Sequence, residues 1–467
     1  MLKSSHLLKR AWKPQKVSVR SRPYPVQFGH FLRNQPQVQI TVLANGMKVV
    51  SQERETYNAC VGLYFDAGSR YESLFENGIA HFFEHIAFKS TRCRPKAVLE
   101  DTMSCTGAHF KCFTTREMAA YYAECLCQDI PCIVDILSDC VFNNCLCPNE
   151  IEVQKKVVYA EMLDHEQNPH AILDDYLHST AFQGTPLAQT VMGISTNLYN
   201  FSPTTIYNYL TKWFDPTKTV FAVVGGVKHE QVVCLANAYL CKFEPCKFDD
   251  LGGYRYTGSE VRFRDDSQPV CNVAIAVEAP SYCDVHDSLV LDVAATMIGG
   301  WDRSQYGGID HAMNVARKAS CTSSCDSYKA FHLKYRDTGL WGVQFMSPSL
   351  SLEDMLFFVQ SEFMHLCTMA PEGEVERAKH QLKAKILSKL ESCQGMCHDL
   401  GRSFLYRDEY LTVDEVMDAI DKVHEKDVKE ICYQYIYDKC PVVAAVGPSE
   451  GLPEYNRIRS GMYWLRL

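Results

Sequence analysis

The sequence predicts an α+β protein made of two copies of one unit, and three observations carry that prediction. Its 467 residues exceed what a single hydrophobic core ordinarily serves, so two domains of about 200 residues are expected. The strand-like VGLYFDAGSR at 61–70 precedes the helical ENGIAHFFEHIAF, and VAIAVEAPSY at 273–282 precedes the helical DSLVLDVAATMIGG. Each half then closes on a strand of small residues, FAVVGGV at 221–227 and VVAAVGP at 442–448. Matching offsets at both ends indicate an internal duplication.

Along the chain, residues 1–34 come first. Lys3, Lys9, Arg10, Lys13, Lys16, Arg20, Arg22 and Arg33 all precede the first acid, Glu53, among Ser, Leu and Val. A basic, Ser-containing, acid-free start is the composition of a mitochondrial transit peptide. The whole chain carries a formal charge of −9, and removing those eight cations brings it to −17, a charge that attracts basic peptides. No run approaches the 18 or more apolar residues of a membrane span.

The first domain is expected at 35–240 and contains His81-Phe82-Phe83-Glu84-His85 within a helix-forming run. Two imidazoles four residues apart share one helix face, one turn apart, as a tetrahedral zinc ion requires. Glu84 sits where it can act as general base toward an attacking water. The order H-x-x-E-H is that of the inverzincin peptidases, although a chance match in a chain of this length has a probability of roughly a few per cent. Further on, HFKCFTTREMAAYYAECL at 109–126 reads as strands from its β-branched and aromatic content. NEIEVQKKVVYAEMLDH at 149–165 has no Gly or Pro and reads as a helix carrying several carboxylates, among them Glu161. A Glu on such a helix is ordinarily solvated, and spacing alone does not make it a third ligand.

The stretch CKFEPCKFDDLGGYRYTG at 241–258 reads as a linker, and 259–467 as the second domain, which lacks the zinc pentad. Twenty-two cysteines occur without a C-x-x-C pair. In a chain of this size with a transit-like start, they read as reduced thiols filling small apolar sites. There is no G-x-S-x-G and no P-loop, and the basic residues after 53 do not cluster as a nucleic-acid surface needs.

Runs such as HFFEHIAFKSTRCRP, GAHFKCFTTREMAAYY, DDYLHSTAFQGTPLAQTV, TGSEVRFRDD, DTGLWG and YIYDKCP resemble the pitrilysin-like (M16) metallopeptidases, in the branch that holds mitochondrial processing peptidase β-subunits and core subunits of the cytochrome bc1 complex. The resemblance covers nearly the whole chain after residue 35. It implies two homologous domains, each a mostly antiparallel sheet with helices packed on one face, around a substrate chamber. It also implies one Zn2+ per chain, held by His81, His85 and a Glu 76 residues after the second His, which is Glu161, with Glu84 as the base. The implied activity is removal of N-terminal presequences from precursors imported into the mitochondrial matrix, as a heterodimer with a processing peptidase α-subunit. The implied alternative is a structural core subunit on the matrix face of the bc1 complex. In the family an edge strand in the 109–126 region takes up the peptide by main-chain pairing.

Departures from the family pattern surround the pentad. Gln154 stands where a supporting Glu is usual, and Lys111 replaces an Asn beside the implied peptide path. Of the two acids that read the substrate arginine, one is Ala171 here and the other is Asp175.

Overall fold

The computed structural model describes residues 36–243, 253–305 and 307–463. The transit-peptide segment 1–34 lies outside the described residues, as does half of the expected linker. In the first half, β1 (Val38–Val42), β2 (Lys48–Glu53), β3 (Asn58–Phe65), β4 (His109–Thr114), β5 (Ala119–Leu126) and β6 (Thr219–Gly225) form one six-stranded sheet in the order β1-β2-β6-β3-β5-β4. Its helices are α1 (Ile79–Ala87), α2 (Lys96–Thr106), α3 (Ile130–Phe142), α4 (Pro148–Glu166), α5 (Pro169–Ala181), α6 (Pro203–Trp213) and α7 (His229–Tyr239).

The second half repeats the plan. Its strands are β7 (Glu260–Arg264), β8 (Cys271–Ala279), β9 (Gly300–Asp302), β10 (Ser327–Lys334), β11 (Gly339–Ser347) and β12 (Val442–Gly447), ordered β7-β12-β8-β11-β10-β9. Its helices are α8 (Val285–Ile298), α9 (Asn314–Thr322), α10 (Leu352–Thr368), α11 (Glu372–Glu391), α12 (Cys393–Tyr406), α13 (Val413–Asp421), α14 (Glu425–Tyr435) and α15 (Tyr455–Gly461). In both sheets the closing small-residue strand takes an inner position, third of six for β6 and second of six for β12. β6 pairs parallel with β2 and antiparallel with β3, and β12 pairs parallel with β7 and antiparallel with β8. The sheets are therefore mostly antiparallel, as expected.

Strand periodicity explains why the central strands are hydrophobic along their whole length. Ala59, Val61, Leu63 and Phe65 of β3 face one core, while Cys60 and Tyr64 face another. The first face is covered by the half's own helices, including α1 and α3. The second is covered by α12, which arrives from the other half and brings Met396, Cys397, Leu400 and Phe404. In return, α5 lays Leu173, Leu177 and Ala181 on the far face of the second sheet, against Ala274, Ala276, Val442 and Ala444. Helices on one face describes what each half supplies for itself; the other face is closed by an exchanged helix. The approach of α12 is close enough to require glycine, since a Cβ at Gly401 would lie 2.5 Å from Cγ of the fully buried Tyr64 ring.

The two halves also meet through their β-hairpin turns. Arg70 bridges Glu117, beside the β4–β5 turn, and Asp337, at the β10–β11 turn, with Nη1 2.8 Å from Asp337 Oδ1. Arg336 donates its backbone N–H to Glu117 Oε2 at 2.9 Å and its guanidinium to Asp66 at 3.0 Å. Opposed charges are thus paired at these two arginines of the join.

Candidate metal centre

The position of α1 follows from its apolar residues. Ile79, Ala80, Phe82, Phe83, Ile86 and Ala87 are buried, and the rings are gripped: Phe82 against Phe201 at 5.1 Å, and Phe83 against Tyr121 and Phe214 at 5.7 and 5.6 Å. That leaves the His81, Glu84 and His85 side to face α4, which is anchored from below by Ile151, Val158 and Met162. Glu161, beside Met162, projects toward the two imidazoles.

The N-terminus of α1 is capped from outside the usual motif. Buried Glu72 accepts from the backbone N–H of Gly78 at 2.7 Å and of Ala80 at 2.8 Å, and from Asn77 Nδ2 at 2.9 Å. A carboxylate at this end satisfies free N–H groups and suits the helix dipole. Gly78 holds φ at 97°, and a Cβ there would meet Met192 O at 2.5 Å. Burial raises the Glu72 pKa to about 7 despite those favourable hydrogen bonds. Gly78 at the N-cap has no side chain to form a capping box, and Glu72, six residues upstream, carries no local mark of its capping role.

Glu161 Oε2 lies 2.9 Å from His85 Nε2 and 3.3 Å from His81 Nε2, and the potential donor atoms of the three residues all fall within 4.8 Å of one another. Glu84 Oε1 is 3.7 Å from His81 Nδ1. Burial opposes the charged form of His81, but its contacts with Glu161 and Glu84 outweigh this and raise its pKa to about 9. Burial, helped by the charge of His81, holds His85 below its ordinary value. The hydrogen bond from His81 keeps Glu161 low. Two acids and two imidazoles on one small surface make a strong cation-attracting field.

The remaining predicted residues are placed as follows. Gln154 is half-buried two turns before Glu161 on the same helix. Lys111 lies on β4, the edge strand, beside α1, where Cys112 Sγ contacts the Glu84 carbonyl at 3.7 Å. Lys111 is tied diagonally to Glu124 of β5 at 2.8 Å. Asp175 is already engaged: Oδ1 accepts from Arg116 at 2.7 Å and Oδ2 pairs with His165 Nε2 at 3.0 Å. The Asp175 hydrogen bond raises the His165 pKa. A substrate arginine would have to compete with buried Arg116 for that carboxylate. Arg116 and His165 are the site neighbours that sequence reasoning missed, since only the tertiary fold brings them to Asp175.

Residues 48–195 match the family described as Insulinase (Peptidase family M16), and residues 200–382 match the Peptidase M16 inactive domain. The chain belongs to the M16 peptidase family. Among its relatives, the mouse protein "Cytochrome b-c1 complex subunit 1, mitochondrial" is 40% identical over 94% of this chain and 92% of its own length. The bovine "Mitochondrial-processing peptidase subunit beta" is 39% identical over 92% of this chain and 89% of its own. A chain of "Complex III2 from Candida albicans, Inz-5 bound" superposes with a TM-score of 0.82 at 25% identity, covering 91% of this M16 chain and 100% of that one. No helix among the described residues is long and apolar enough to cross a membrane.

Proposed function

We propose that this M16 chain is a zinc metalloendopeptidase of the processing-peptidase β type, removing presequences from proteins imported into the mitochondrial matrix. The observation that carries the reading is the convergence of His81, His85 and Glu161 with Glu84 alongside. The donor set fits the metal. Two imidazole nitrogens and one carboxylate oxygen form a catalytic zinc set, and ligands about 2.1 Å from a tetrahedral ion lie roughly 3.4 Å apart. The 3.3 Å separation of His81 from Glu161 is close to that spacing, and the 2.9 Å separation of His85 from Glu161 is about 0.5 Å shorter.

Zinc, when bound by these three residues, supplies a Lewis acid that polarises the scissile carbonyl and lets water ionise near neutral pH. The β4 edge presents main-chain groups that hold an extended peptide across α1. Glu84 takes the proton of the attacking water and returns it to the leaving amine. The catalytic domain then spans 35–240 and the second domain 259–467. An α-subunit partner completes the chamber, and presequence peptides are the substrates.

A second reading, a core subunit on the matrix face of the bc1 complex, is favoured by the comparable identity to the mouse subunit and by the engagement of Asp175 with Arg116 and His165. The decisive experiment is zinc analysis and presequence cleavage after co-expression with an α-subunit. The peptidase reading expects zinc and cleavage in the wild type, and zinc without cleavage in Glu84→Gln. A wild type that binds zinc, cleaves nothing and migrates with the bc1 complex on a native gel establishes the scaffold instead.

A further inference from the structure

The second half contains another convergence of metal-binding side chains, on helices far along the sequence from α1 and α4. Glu362 and His365 stand three residues apart on α10, so they share one face. The short turn 369–371 reverses the chain, and Glu374 in the first turn of α11 meets them. The potential donor atoms of these three residues all lie within 4.8 Å of one another.

The state of the cluster points to a missing positive charge. The Glu362 side chain is 5% exposed, and its close polar contact is an ion pair with His365 Nδ1 at 3.4 Å, which raises the His365 pKa. That Nδ1 is itself buried without a hydrogen-bond partner. A desolvated carboxylate in this condition is costly unless a cation or donor answers it. A proton on His365 would offset only one of the two carboxylates, whereas a divalent ion would offset both. The other polar neighbours are occupied. Lys318 Nζ is directed to Ser361 Oγ at 3.4 Å and lies over the Phe358 ring at 5.8 Å. Asn314 reaches one oxygen of Glu374 at 3.4 Å and leaves the other available.

We propose that Glu362, His365 and Glu374 form a second divalent-metal site, one that clamps α10 to α11. Its donor set of one imidazole and two carboxylates suits Zn2+ and related first-row ions, and Glu-x-x-His at i, i+3 is a helical arrangement that carboxylate-bridged metal bundles also use. No substrate edge or general base adjoins it, so its role is structural. The site stands independently of the peptidase reading.

The test is zinc stoichiometry of the full-length chain, stripped with chelator and dialysed against Zn2+. His365→Gln and Glu374→Gln should each lose one equivalent relative to wild type, His85→Gln should lose a different one, and His85→Gln/Glu374→Gln should lose both. Zinc should also raise the melting temperature of His85→Gln but not of that double variant. Glu374 is half-exposed at a helix start, so its variant decides the matter if His365→Gln fails to fold. Unchanged stoichiometry in Glu374→Gln, or a zinc-induced stabilisation that survives in the double variant, overturns the proposal. A His85→Gln variant that keeps every equivalent would instead count against the first site alone.

Discussion

The two halves place different chemistry at matching points of one scaffold. In the first, α1 follows the central strand β3, the long helix α4 packs on α1, and Cys112 of β4 abuts the Glu84 carbonyl. In the second, α8 follows β8, the long helix α11 packs on α8, and His332 of β10 reaches Asp292 on α8 at 2.8 Å. Glu161 is the fourteenth residue of α4; the fourteenth of α11 is Lys385. Lys385 thus holds the same ordinal place in its helix that the distal acid holds in the first half. Around it lies a cavity of about 850 Å³, bordered by Asp292, Trp301, His332 and Lys385. Burial would raise the Asp292 pKa, but Lys334 and His332 hold it well below the carboxylate range, while burial keeps His332 low. The difference teaches that the fold offers a polar niche beneath β4 in the first half and beneath β10 in the second, and that each half fills it with a different set of side chains.

The sharpest way to break this contrast is to remove one side-chain function from each niche. Glu84→Gln should lower presequence cleavage by about 10²–10⁴-fold with zinc retained, whereas His332→Gln should leave cleavage unchanged. Comparable losses in both variants would make the second niche part of the same chemistry. Next in size is the join between the halves. Arg70→Ala strands the buried carboxylate of Glu117 and should cost about 3 kcal/mol in denaturant unfolding. Glu72→Ala removes the cap of α1 and should cost about 1–2 kcal/mol, with weaker zinc retention on dialysis. Asp284→Ala, which removes the side-chain acceptor that caps α8, should cost about 0.5–2 kcal/mol and leave zinc retention unchanged.

The smallest effect is a pH dependence at the α12 contact. His398 donates to or accepts from Tyr64 OH at 2.8 Å and packs edge-on against Tyr122 at 4.5 Å; burial lowers its pKa from 6.5 to about 4. Between those values the folded state binds fewer protons than the unfolded state, so this contribution is full above pH 6.5 and fades as pH falls toward 4. Melting temperatures of wild type and His398→Gln should converge as the solution is acidified through that window; a constant gap would remove His398 from the account.

The duplication was legible because β3 and β8, and β6 and β12, are hydrophobic runs at matching offsets. The exchange of α5 and α12 was not, since CQGMCHDLGRSFLY shows an apolar face without saying which sheet it covers. The H-x-x-E-H pentad marked α1 directly, while Glu161 needed the family resemblance because a half-exposed acid on a charged helix has no local signal. The Asp175–Arg116 pair was invisible for a similar reason: 59 residues separate its members, and neither looks unusual where it stands.

The exchanged helices bear on why a half without the zinc pentad persists. Without α12, the first sheet would expose Cys60, Tyr64, Ala120, Val220 and Ala222 to water, a contiguous apolar face prone to aggregation. The arrangement is that of a swapped dimer whose two protomers share one polypeptide. Loss of chemistry in the second half therefore gives no licence to delete it, and natural truncations are expected to spare α12 even where the niche beneath β10 has changed beyond recognition.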